Sequence, residues 1–144
     1  MMSRISLFGP LLLVVGGSVM YHVAAKSVPK TLEPFAALVG VYTTALVVSL
    51  VAYALTRRGS MPEQVSGLWH PTVAAVGLGV LMIELGFLLT YRASWPVSIA
   101  SIMLNGIVAV LLLPIGAAVF GETVTAIRVA GVILCLLGLS LLRR

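Results

Sequence analysis

Aspartate is absent from this 144-residue chain, and charge of either sign is scarce at 9% of residues. A water-soluble domain carries about 25% charged residues, so the solvated shell of an ordinary soluble enzyme is excluded, as is a disordered tail. Nine Lys and Arg outnumber four Glu, for a formal net charge of +5. These cations are too few and too dispersed to follow a phosphate backbone, which excludes a nucleic-acid-binding domain. Cys135 is the one cysteine, so there is no internal disulfide and no Cys-based metal site.

What fills the chain instead is apolar: 60% of residues are hydrophobic and the mean hydropathy is +1.17. A bilayer core needs roughly 20 apolar residues in a helix. Five such runs occur, at 5–25, 35–56, 71–91, 97–120 and 124–142. Arg4 and Lys26 bound the first run, and Pro29 and Pro34 break the chain after it. Its apolar stretch exceeds the roughly 7–15 residues of a signal-peptide core, so it is read as a transmembrane helix and not as a cleaved leader. Arg57-Arg58-Gly59 ends the second run, and the polar stretch to His70 is a solvated connection. Pro71 suits the start of the third helix. Arg92-Ala93-Ser94-Trp95-Pro96 is a tight turn, with Tyr91 and Trp95 as interfacial anchors. The expectation is an all-α integral membrane protein, with residues 1–144 forming one transmembrane domain and no room for a soluble catalytic unit.

An odd number of spans puts the termini on opposite sides. Arg4, Arg57, Arg58 and Arg128 then share one side, while Lys26, Lys30, Arg92, Arg143 and Arg144 share the other. Orientation follows the excess of Lys and Arg, and four against five is almost none. Either one further cue, such as the Arg57-Arg58 pair, fixes a single orientation, or copies insert both ways up and pair antiparallel.

Phe120-Gly121-Glu122 leads into a fifth helix with Gly131 and Gly138, reading GETVTAIRVAGVILCLLGLSLL. With Leu88-Leu89-Thr90-Tyr91-Arg92 at the exit of the third helix, Pro114 in the fourth and Lys26 after the first, this resembles an EamA-type repeat of the drug/metabolite transporter superfamily. The resemblance covers essentially the whole chain as one five-helix repeat. Full-length members carry two inverted repeats, and the related small multidrug resistance proteins work as antiparallel dimers of four-helix chains. The resemblance implies pairing with an identical chain or a paralogue, and alternating access between the halves. It departs from the four-helix exporters in one respect: their essential carboxylate lies in the first helix, where this chain has Ser18.

Glu84 is the first candidate for chemistry. It lies mid-span among apolar residues, where a charge costs about 2.5–3.5 kcal/mol on insertion scales and usually faces a cavity or a partner. It can bind a cation or exchange a proton; the alternative is a carboxyl that staples helices together. Ser18, His22 and Lys26 recur every four residues and share one stripe. His22 can relay protons or pair with Glu84, or simply hydrogen-bond to neighbouring helices as Ser18 does, while Lys26 snorkels to the headgroups. Ser98, Ser101 and Asn105 share a face of the fourth helix, either lining a pathway or joining helices. Tyr42, Ser49 and Tyr53 share a face of the second, where the tyrosines either bracket an organic cation or pack. Gly131, Cys135 and Gly138 give the fifth helix a small-residue face suited to close helix association, at a dimer seam or within the chain. Glu122 and Arg128 belong to a membrane boundary.

No metal cluster, phosphate-binding glycine loop or nucleophile triad is present, so neither an enzyme nor a cofactor is expected. The function expected is that of a small-molecule transporter or exporter subunit, possessing proton or cation coupling if Glu84 serves it. The alternatives are a non-transporting membrane scaffold and a component of a lipid-carrier flippase. The expected partners are the lipid bilayer, a small-molecule substrate and a second chain, without nucleic acid. The Arg- and Ala/Val-rich usage points to a bacterial inner membrane.

Overall fold

The computed structural model describes residues 4–56, 67–68 and 70–142, with side chains from 8 to 141 within that range. Five helices follow in order: α1 (Arg4–Ser27), α2 (Pro34–Thr56), α3 (Pro71–Arg92), α4 (Val97–Phe120) and α5 (Ala126–Leu142). Four segments are long and apolar enough to cross a membrane: Phe8–Ser27, Pro34–Thr56, Pro71–Arg92 and Val97–Phe120. At 17 residues, α5 is about 25 Å long, at the lower limit for a span.

The helix ends follow from local chemistry. Glu33 caps α2, its Oε2 accepting from the Ala36 amide at 2.9 Å ahead of Pro34, which has no amide to satisfy. His70 caps α3 ahead of Pro71; its side chain accepts from the Thr72 amide and lies 2.7 Å from the Thr72 hydroxyl. α5 begins at Ala126 and not at the expected 124. The Thr125 hydroxyl accepts from the Arg128 amide and the Thr125 carbonyl from the Val129 amide, which makes Thr125 the cap and leaves Val124 outside the helix.

α4 ends at Gly121, with φ 66° in the left-handed region. The amides of Gly121 and Glu122 both reach the Gly116 carbonyl, and the Glu122 carboxylate folds over the bare α-carbon of Gly116. A Cβ at Gly116 would lie 3.1 Å from Glu122 Oε2. Gly121→Ala is expected to lose about 1–2 kcal/mol, because a side chain in that conformation meets the following carbonyl. Thermal unfolding in detergent reads this as a lowered midpoint; an unchanged midpoint would mean the corner tolerates a Cβ.

The chain divides into two compact units. The first comprises residues up to His22 together with Ser94 onward, and in it α4 packs on α5. The second runs from Val23 to Ala93, and in it α2 packs on α3. Ala37, Leu38, Phe87, Leu88 and Tyr91 are buried there. Tyr91, expected as an interfacial anchor, is the most enclosed of these at 2% exposure, stacked on Phe87 with ring centroids 5.9 Å apart. Elsewhere large apolar side chains face outward, Leu55 at 82% and Ile127 at 81% exposure. In water such a surface would aggregate; against lipid tails it carries no penalty.

Candidate functional site

Most hydroxyls on the helices serve their own backbone. Ser27, Thr43, Thr44, Thr56 and Thr90 each donate to the carbonyl four residues back at 2.7–2.9 Å. Back-bonding of this kind satisfies a hydroxyl in an apolar medium without a cavity. What is left defines two separate groups, one in each unit.

In the first unit, the polar stripe of α1 and the polar face of α4 line one groove. Ser18, His22, Ser101 and Asn105 share it with Val14, Val15, Val19 and Ile102, around a volume of about 430 Å³. Asn105 is held by donating from Nδ2 to the Ser101 carbonyl at 2.8 Å, and Ser101 leans toward the Ser98 carbonyl at 3.4 Å. Tyr21 meets His22 edge-on, with ring centroids 5.1 Å apart. Ser18 and His22 on α1 therefore share a groove with Asn105 on α4, a distant stretch of sequence. The walls are mostly apolar, so the groove suits a small amphipathic guest that one or two hydrogen bonds can orient.

In the second unit, Tyr42 on α2 and Glu84 on α3 interact across the helix seam. Tyr42 Oη and Glu84 Oε2 are both shielded, yet neither makes a hydrogen bond. Side chains that lie close without closing a bond can gain one through a small shift or through a guest. Tyr53 lies three turns along α2 from Tyr42, about 16 Å farther down the axis, and so belongs to no pair with Glu84.

Gly131 and Cys135 line a second hollow of the first unit, about 360 Å³ between α4 and α5, with Gly106, Leu113 and Arg128 on its wall. Gly138 faces open space. The Arg128 guanidinium, in the first turn of α5, turns back to donate to the Thr123 carbonyl at 2.8 Å. Among the described residues, no three His, Cys, Asp or Glu side chains gather where a metal ion would bind.

Several contacts have no counterpart in the sequence reading. His70 is a cap. Lys26 Nζ donates to the Tyr91 carbonyl at 3.4 Å, and Arg92 donates to the Leu32 carbonyl. Leu32 itself lies in a turn, Pro29-Lys30-Thr31-Leu32, closed by its amide on the Pro29 carbonyl. No family model, curated protein or solved structure matches this chain.

Proposed function

We propose that this chain is a subunit of a small-molecule membrane transporter. It is a five-span, EamA-like repeat that pairs antiparallel with an identical chain or a paralogue and works by alternating access. The observation that carries the reading is Glu84: a carboxylate mid-way along an apolar helix, with one shielded oxygen lacking a hydrogen bond and a tyrosine hydroxyl in the same condition beside it. Ionisable groups are kept at such depth chiefly for function. Glu84 exchanges a proton or cation with Tyr42 as its companion, while Ser18, His22 and Asn105 orient the substrate in their groove. In carriers of this kind, access alternates by rocking one half against the other around a site near the midplane.

A non-transporting scaffold is the second reading, favoured by the place of Tyr42 and Glu84 in a helix seam, where a neutral carboxyl also holds helices together. Thiol accessibility separates the two. In a Cys135→Ser background, Asn105→Cys and Glu84→Cys are expected to react with polar, membrane-impermeant thiol reagents in vesicles. Protection of both positions under all conditions would support the scaffold and remove the carrier.

A further inference from the structure

α4 and α5 pack together in the first unit, yet they do not close along their whole length. Between them lies the hollow of about 360 Å³, with Gly106 and Ala109 on the α4 wall and Gly131 and Cys135 on the α5 wall. Small side chains at these four places leave the space open, and a Cβ at Gly131 would meet no atom within 4 Å. The one charged group on the walls is Arg128, at the end nearest the corner that joins the two helices.

The guanidinium is held at that end by donating to the Thr123 carbonyl at 2.8 Å. This bond engages one of the five N–H donors of a guanidinium. Glu122, the acid nearest in sequence, folds its carboxylate over Gly116 instead, and among the described residues Arg128 makes no ion pair. Thr123 lies just beyond the span Val97–Phe120. In a bilayer the charge therefore sits at headgroup level, with the apolar hollow beneath it.

The shape of the hollow limits its guest. It follows α5 from Arg128 to Cys135, seven residues or about 10 Å of axis. Spread over that length, the volume gives a mean cross-section of about 35 Å², less than half that of a helix about 10 Å wide. A helix from a second copy would ride over this slot without filling it. Water gains nothing from such walls, because apolar hollows stay dry. A slender hydrocarbon chain fits them.

We propose that the hollow between α4 and α5 seats an acyl chain of an anionic phospholipid, with Arg128 holding its phosphate. The narrow apolar slot selects the chain and the guanidinium selects the headgroup, because the planar fork of arginine matches a phosphate. The proposal rests on the membrane reading but not on transport.

The test uses purified full-length protein in nanodiscs of phosphatidylcholine containing a minor fraction of phosphatidylglycerol, with bound lipid counted by native mass spectrometry. Wild type is expected to retain phosphatidylglycerol preferentially. A near-surface cation contributes about a fivefold factor in affinity, so Arg128→Gln should weaken that retention about fivefold, while Arg128→Lys should keep much of it. Gly131→Leu, which fills the slot and spares the charge, should also weaken it. Lys30→Gln removes a cation elsewhere in the chain and should change nothing. Cys135 reports on the chain itself: its labelling by N-ethylmaleimide should be slower with phosphatidylglycerol than in phosphatidylcholine alone, and the difference should vanish in Arg128→Gln. Equal retention of both lipids by wild type, or wild-type retention by Arg128→Gln or Gly131→Leu, overturns the site. Protection of Cys135 that follows dimerisation without bound lipid assigns the slot to a second copy and overturns the lipid. Release of the protein from membranes by alkaline carbonate overturns the membrane reading itself, and the lipid site with it.

Discussion

Replacing Glu84 by Gln should abolish substrate-dependent proton or cation flux in proteoliposomes, down to the leak of empty vesicles, while the protein still folds and inserts. Glutamine matches the carboxyl in size, so its packing beside Tyr42 survives the change. What disappears is the ability to lose and regain a proton or to neutralise a cation. Glu84→Leu sharpens the comparison. The carboxyl has a shielded oxygen without a hydrogen bond, and removing a polar group in that condition relieves a desolvation cost of about 1–3 kcal/mol. Glu84→Leu should therefore raise the thermal midpoint in detergent while flux is lost, the opposed response typical of a group kept for activity at the expense of stability. Wild-type flux in Glu84→Gln would remove this residue from the mechanism.

The second large effect is structural. At Gly106 an added Cβ would run into the Leu139 side chain, its Cδ1 and then its Cγ at 3.5 Å. Close approach of α4 and α5 depends on that missing methyl, as is usual where helices meet in lipid. Gly106→Val is expected to cost on the order of 1–3 kcal/mol through over-packing and to lower the thermal midpoint sharply. Leu139→Ala alone should cost less, because it leaves space beside a wall that already borders a hollow. Combining it with Gly106→Val should restore much of the loss, and the double-mutant cycle should give a coupling well above additivity. Additive effects would mean that the two helices do not meet at this point.

Much of this architecture was readable in advance because lipid imposes few solutions. Apolar runs of one length separated by Pro, Gly and Arg clusters permit little except helices, and all five begin and end within two residues of expectation. The two-residue offset at the start of α5 has a local cause: Val124 extends the apolar run, but Thr125 is the better cap, and hydropathy does not register a hydroxyl that accepts a backbone amide. Site residues were legible face by face. The spacing of Ser18 and His22, or of Ser101 and Asn105, sets each pair on one side of its helix. That these sides share a groove depends on packing between segments some 80 residues apart, which periodicity along one helix does not encode. Packing likewise decides which tyrosine accompanies Glu84. Tyr42 and Tyr53 lie on one face of α2, and periodicity does not say that Tyr42 is the one beside the acid. The anchoring of Lys26 and Arg92 by carbonyls was hidden as well, since any residue supplies a carbonyl and composition carries no trace of it.

The unequal lengths of α4 and α5 have a mechanical result. Because a short corner joins them, their ends are level there, and the whole difference of about 10 Å falls at the opposite end. Around Val97 to Ile102, α4 continues past the last turn of its neighbour. A bilayer relieves such a step by thinning or tilting, at fractions of a kcal/mol per ångström. In a bilayer, a leaflet adapting to that step would be drawn inward beside Ser101, which borders the groove. A dimple of this kind would bring water and headgroups toward Ser18, His22 and Asn105 without any helix moving, shortening the apolar barrier that a polar solute has to cross.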